Sequence, residues 1–311
     1  MTTALLTHSD GLSHVTPPGH PERVDRLMAI YTALDTIEDD ALLRVGPPLG
    51  EEADVLLCHP QSYIDKIRAA EPDSGFVSLD ADTHMSPGSF QAAMRGVGAM
   101  TKAVDMVLGG EANNAFAAMR PPGHHAETAT QMGFCLFGNA AIAAKHALER
   151  HGLSRVAVVD FDVHHGNGTQ DLLWNEARAL FISSHQMPLW PGSGAPSETG
   201  AHDNVINMPL QPESGGRDMR AAYERIAFPA LEAFKPELLL ISAGFDAHAN
   251  DPLANLNWTE EDFAWITEKL CEVADTHCGG KVVSTLEGGY DLQALAASTK
   301  AHLEVLLARG R

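Results

Sequence analysis

The residues best able to do chemistry cluster in one stretch, Asp160-Phe161-Asp162-Val163-His164-His165-Gly166-Asn167-Gly168, directly after the apolar run Val156 to Val159. A strand of that β-branched composition is buried on both faces, so the polar group begins where the strand stops. Side chains alternate along an extended chain, which sends Asp160, Asp162 and His164 to one side and Phe161 and Val163 to the other. Two carboxylates and an imidazole this close resist burial unless a cation compensates them. Asp246 follows another apolar strand and completes an N/O donor set with Asp162 and His164; three protein donors leave a coordination position open, as hydrolytic chemistry requires. Taken alone, Asp246 reads equally well as a helix N-cap. Zinc is the first expectation, and ferrous iron, cobalt or manganese suit the same donors. Water on such an ion has its pKa lowered towards about 7.

Proton-transfer groups come from elsewhere. His124-His125 lies in a loop fixed by Pro121, Pro122 and Gly123. Asp160 and Asn167 are candidates to accept from the two Nδ1 atoms, and a carboxylate raises its partner's basicity more than an amide does. One histidine then becomes the better base and the other stays nearer its ordinary pKa, a division suited to deprotonating water and protonating an amine. Tyr290, after Gly288-Gly289, reads as a core aromatic or as a hydroxyl donor to a developing oxyanion; the two glycines favour the donor. Glu287 reads as an anchor rather than a catalyst. Phe134, Trp190 and Leu253 are candidates to wall an apolar channel, although such residues are more often core.

The elements that must position these groups alternate regularly. Strands are expected at Thr3 to Leu6, Val55 to Leu57, Ala115 to Met119, Val156 to Val159, Ala179 to Ser183, Val205 to Met208, Leu238 to Ser242 and Val282 to Thr285. Helices are expected at Pro21 to Ile37, from Pro60, from an N-cap at Ser86 to Gly109-Gly110, at Asn139 to His151, Gly215 to Phe234, Glu260 to Asp275 with Thr259 as N-cap, and Leu292 to Ala308. Such alternation implies a parallel sheet with helices on both faces, whose ligands bind outside the carboxyl ends of the strands. Four strand ends carry polar groups and glycine, so they converge on one rim and one site.

With 311 residues the chain allows two domains, yet no linker composition marks a boundary, and residues 1–311 are read as a single domain. The 41 acidic residues against 21 Lys and Arg give a formal charge of −20, which argues against a nucleic-acid partner. The same field would draw cationic substrates such as lysine-rich peptides or polyamines. Cys58, Cys135, Cys271 and Cys278 form no C-x-x-C pair and are expected to be reduced core thiols. No signal-peptide pattern and no run of ~18 apolar residues is present. A cytoplasmic protein that is not inserted in a membrane is expected, and a homo-oligomer is compatible with the sequence.

These segments resemble the zinc-dependent histone deacetylase and acetylpolyamine amidohydrolase superfamily. The resemblance rests on His20-Pro21-Glu22-Arg23, Arg120 to Ala126, Gly133-Phe134-Cys135, Asp160 to Gly168, Trp190 to Gly194, Ser242 to Asp246, Asp251-Pro252-Leu253 and Leu286 to Tyr290. It implies a three-layer arginase/deacetylase-like α/β fold, a mostly parallel central sheet flanked by helices, and hydrolysis of an acyl amide such as acetyl-lysine or an acetylated polyamine. It further implies zinc on Asp162, His164 and Asp246, His124 with Asp160 as general base, His125 with Asn167 as acid or electrostatic partner, and Tyr290 as oxyanion donor. Gly133, Phe134, Trp190 and Leu253 would contact substrate, with Arg26 behind the pocket. A potassium ion would use main-chain oxygens of Asp162, His164 and Ser184 with the Asp160 and Ser183 side chains. Asn167 and Glu287 resemble the class II branch, and Leu253 stands where polyamine-selective relatives can carry Glu, which leans towards acyl-lysine. The rivals are a binuclear manganese ureohydrolase, disfavoured by Gly166 and His248 where more aspartates are needed, and a non-catalytic acyl-ligand binder.

Overall fold

The computed structural model describes residues 2–310. Ten strands are numbered in chain order: β1 Thr3–Leu6, β2 Leu42–Val45, β3 Val77–Ser78, β4 His84–Met85, β5 Asn114–Ala117, β6 Val156–Asp160, β7 Ala179–Gln186, β8 Val205–Leu210, β9 Leu238–Ala243 and β10 Val282–Leu286. All but the small antiparallel β3–β4 pair form one eight-stranded parallel sheet in the order β2-β1-β5-β10-β9-β6-β7-β8. The register pairs Asp160 with Ser183 on one side and Ser242 on the other, so the strand ends carrying polar loops finish level.

Helices cover both faces: α1 Asp10–Ser13, α2 Val24–Leu34, α3 Glu52–Val55, α4 Gln61–Ala70, α5 Ser89–Gly109, α6 Asn139–Arg150, α7 Asn167–Leu173, α8 Gly216–Ala222, α9 Phe228–Phe234, α10 Glu260–Cys278 and α11 Leu292–Arg309. β6 shows how the layers are specified. Val156 and Val158 join an apolar cluster with α4, α5 and α6, while Ala157, Val159, Phe161 and Val163 join the opposite cluster with α2, α10 and α11. The alternation expected along the strand therefore persists past its end, which leaves Asp160, Asp162 and His164 on the other side from Phe161 and Val163. Among the described residues no helix is long and apolar enough to cross a membrane. All four cysteines are buried and unpaired with one another.

Several expected elements differ. Val55 to Leu57 is not a strand: Val55 ends α3, and Leu56 donates back to Glu52. Glu52 and Asp54 in the first turn favour a helix start, and three apolar residues are too few to fix a strand. The half-exposed edge strand β2 has no such signal and was not anticipated. Ser86 is not the N-cap of α5; Gly88, at φ 91°, holds that position. The helix expected over Gly215 to Phe234 is interrupted by a π-turn at Tyr223–Ala227. Pro229 lacks the N–H that would continue the ladder and its ring crowds the preceding turn, which is a physical cause for that break.

One buried charge cluster ties the layers to the rim. Glu22 is fully buried, accepts from Arg26 Nη1 at 3.0 Å and Arg120 Nη2 at 2.6 Å, pairs again with Arg120 Nε, and lies 3.5 Å from His14 Nε2. Burial pushes the Glu22 carboxyl up, but Arg120, His14 and Arg26 outweigh it and hold the group well below the usual range. Glu22→Gln leaves two buried guanidiniums undercompensated and is expected to cost about 3–5 kcal/mol. Because its folded pKa is depressed, the carboxylate contributes stability that is fully present above its unfolded value near 4.5 and is lost progressively as pH falls from there through the lower folded value. Urea midpoints across pH 3 to 7 should therefore vary less steeply at the acid end in Glu22→Gln than in wild type; parallel curves would show that Glu22 is not the linked group.

Candidate active site

Five adjacent strands, β5, β10, β9, β6 and β7, send their carboxyl ends to one point on the rim. The loop after β6 brings Asp162 and His164, and the loop after β9 brings Asp246. Their donor atoms lie within 4.8 Å of one another. His164 Nδ1 is 3.2 Å from Asp162 Oδ1 and 3.1 Å from Asp246 Oδ2, with both carboxylates fully buried. Asp246 is not an N-cap, since its Oδ1 accepts from the Val163 N–H at 2.9 Å and no helix starts there. Two buried carboxylates flanking one imidazole nitrogen fit a divalent cation, because without one the pair repels: burial and the Asp162 charge raise the pKa of Asp246.

The His pair lies beside this trio, with ring centroids 3.8 Å apart and planes tilted by 40°. His124 Nδ1 donates to Asp160 Oδ2 at 3.0 Å, and its Nε2 is 3.7 Å from Asp162 Oδ2. Asn167 opens α7 and gives its Nδ2 to Glu127 at 2.8 Å, so its Oδ1 accepts from His125 Nδ1 at 2.7 Å. Both of these hydrogen bonds run through Nδ1 and leave Nε2 unused. Burial lowers the pKa of each ring, but Asp162 and Asp160 outweigh it at His124 and hold that ring well above 6.5, whereas the charges of His124 and His164 add to burial and hold His125 well below. Asn167→Asp would place a carboxylate on His125 and raise its pKa. The limb of the pH–rate profile that this ring governs should move to higher pH; superimposable profiles would mean Asn167 does not tune it.

The turn after β10 supplies the third side. Glu287 is fully buried and accepts from the Gly123 and His124 N–H groups at 2.7 and 3.1 Å, so it fixes the loop that carries the His pair. Arg26 donates to the Gly289 and Glu287 carbonyls, each at 2.6 Å, and its guanidinium lies 5.0 Å from the Tyr290 ring centre. Asp251 accepts from the Tyr290 N–H at 2.8 Å. Burial raises the Tyr290 phenol well above 10, with Asp246 and Asp162 adding to it and Arg26 opposing, so the hydroxyl stays a donor at neutral pH. Gly288 is required for approach: a Cβ there would sit 2.1 Å from Asp246 Oδ2.

A cavity of about 210 Å³ opens onto these groups, lined by Asp82, His125, Gly133, Phe134, His164, Leu189, Trp190, Leu253 and Tyr290. Gly133, at φ 56°, brings its backbone against the His125 and Trp190 rings, where a Cβ would come within 2.6 Å of both. The slot is narrower than most drug-sized pockets, as suits one unbranched chain. Behind it, the Ser183 hydroxyl meets His185 Nδ1 at 3.0 Å and the Ser184 hydroxyl meets Tyr223 at 2.8 Å. Asp82 and Leu189 were missed in the sequence: the Asp80 to His84 loop shows only polarity, and a single Leu carries no signal that separates a cavity wall from core. Asp251 was quoted within a motif, yet nothing local ties it to Tyr290.

The parallel sheet, its strand order and the polar carboxyl rim define the arginase/deacetylase architecture. The family model for the histone deacetylase domain matches residues 20–306, and the chain belongs to that family. A histone deacetylase-like amidohydrolase of Pseudomonas aeruginosa is 40% identical over 89% of this chain and 74% of its own. A probable deacetylase of Archaeoglobus fulgidus is 37% identical over 94% of this chain and 82% of its own. The crystal structure of the HDA15 HD domain matches with a TM-score of 0.93 at 33% identity, covering 99% of this chain and 89% of that one. The chain is accordingly a hydrolase of the deacetylase/amidohydrolase type, in a family that is generally metal-dependent.

Proposed function

We propose that this protein is a zinc-dependent deacylase that hydrolyses the amide of an acylated primary amine, with acetyl-lysine as the preferred class. The observation that carries the reading is the meeting of the Asp162–His164–Asp246 donors, the two free imidazole Nε2 atoms and Tyr290 at the floor of one narrow slot. Zinc held by those three residues would supply Lewis-acid polarisation of the amide carbonyl and lower the pKa of water. His124, held by Asp160, takes the water proton at Nε2; once a cation neutralises Asp162, Asp160 remains as the charge that raises its basicity. His125, whose Nδ1–H is held by Asn167, is the electrostatic partner at the leaving group, and the proton that His124 takes from water is the one passed on to the leaving amine. The Tyr290 hydroxyl donates to the tetrahedral oxyanion. Gly133, Phe134, Trp190 and Leu253 hold the methylene chain. A potassium ion belongs to the same reading, on main-chain oxygens of Asp162, His164 and Ser184 with the Asp160 and Ser183 side chains, where it would offset the buried Asp160 charge.

Acetylpolyamines are the second substrate class, favoured by the net charge of −20. Leu253, 36% exposed at the mouth, offers no carboxylate to a second ammonium there and weighs towards acyl-lysine. A binuclear ureohydrolase lacks support: Gly166 packs against Asp160, and His248 lies 3.6 Å from Glu260, so neither position brings a bridging carboxylate. The deciding assay compares zinc-loaded and metal-stripped protein on acetyl-lysine peptides, acetylputrescine and acetylspermidine. Faster acetate release from the peptides supports the reading. No release from any of them would leave a binding module.

A further inference from the structure

We infer that the protein carries a second divalent-metal site, of the zinc type, built from Asp105, His146 and His151 at the opposite edge of the sheet from the catalytic rim. Asp105 lies one turn before the end of α5, His146 lies one turn before the end of α6, and His151 follows the last residue of α6. His146 Nε2 and His151 Nε2 approach the same oxygen, Asp105 Oδ1, at 2.8 and 2.7 Å, and all three donor atoms lie within 4.8 Å of one another. Two neutral imidazoles and one carboxylate form an N₂O set that suits zinc, cobalt or nickel, whereas calcium and magnesium select oxygen donors.

A further carboxylate gives the cluster the form of a ligand site. His146 is 8% exposed, and its Nδ1 meets Asp54 Oδ1 of α3 at 3.1 Å. An Nδ1–H held by the buried Asp54 carboxylate would fix the ring and leave the Nε2 lone pair to an ion lying between His146 and Asp105, the carboxylate–histidine–metal arrangement of metal sites. The helix ends add to this, since carbonyl-rich carboxyl termini favour a cation. The nearby cations are engaged: Lys102 lies 3.4 Å from Glu111 and Arg150 lies 3.8 Å from Asp54.

The three residues line an open cleft of about 530 Å³ that leaves room for water as a fourth ligand. Because α6 leads into β6, its carboxyl end stands at the amino end of the sheet, while the catalytic donors stand at the carboxyl end. An ion here therefore tethers α3, α5 and α6 and takes no part in amide hydrolysis.

The test titrates Zn²⁺ alone, against a chromophoric chelator, into stripped full-length protein. Wild type should bind two equivalents, His151→Ala one, Asp162→Asn one, and the double variant none. Asp54→Asn should keep both sites and weaken one by about 10–100-fold. His151→Ala, a partly exposed position, should fold normally by circular dichroism and keep wild-type deacetylation. One equivalent in wild type, undiminished in His151→Ala, overturns the second site. Two equivalents that both depend on Asp162 overturn it as well and indicate a binuclear centre. If Asp162→Asn keeps two ions while His151→Ala loses one, the second site stands and the catalytic ligand assignment fails.

Discussion

Asp162→Ala should abolish turnover and remove the ion at the catalytic rim. Asp162 Oδ1 accepts from the His164 N–H at 2.9 Å and Oδ2 accepts from the Gly288 N–H at 2.8 Å, so the carboxylate both offers a donor and aligns two loops. Truncation therefore removes a ligand and loosens its neighbours, and the loss should exceed the roughly 10²-fold that an orienting partner of a ligand is worth. Packing separates these effects. Gly244 and Gly288 lie so close that a Cβ on either would fall within 2.6 Å of Asp162 Oδ2, which means Asp162→Asn preserves shape while weakening the donor. Metal analysis should find one ion fewer per chain in both variants, and kcat should fall with it. A folded Asp162→Asn protein with the wild-type ion count and rate would remove Asp162 from the ligand set.

Tyr290→Phe should lower kcat by about 10²–10³-fold with little change in KM, the usual loss of one oxyanion donor. The substitution is selective because what positions the ring does not involve the hydroxyl. Asp251 holds the backbone N–H, Phe134 meets the ring edge-to-face at 5.9 Å between centroids, and Arg26 lies over it. The phenol is kept protonated by burial and by the neighbouring carboxylates, so its hydroxyl keeps a proton to donate throughout the neutral range. Rates within a few-fold of wild type would assign Tyr290 to the wall of the slot alone.

The supporting shell explains why single substitutions away from the reacting atoms should also matter. Glu22 anchors Arg26, Arg26 holds the turn of Glu287 to Gly289, and Glu287 holds the loop of His124. A disturbance at Glu22 therefore reaches both the His pair and Tyr290 through backbone positions.

What the sequence determined by itself was local. The Val156 to Gly168 stretch is legible because strand burial and period-two alternation depend on neighbours in the chain, and the alternation of strand and helix sufficed for a parallel sheet with a polar carboxyl rim. The rhythm failed where its signal was short or half exposed, at Val55 to Leu57 and at β2. Only the tertiary structure decided what lies between elements: Asp251 under Tyr290, Arg26 on a turn more than 250 residues away, the mouth residues Asp82 and Leu189, and Asp105 between His146 and His151. Those contacts join segments whose proximity follows from strand order and helix packing, and no periodicity within either segment encodes it.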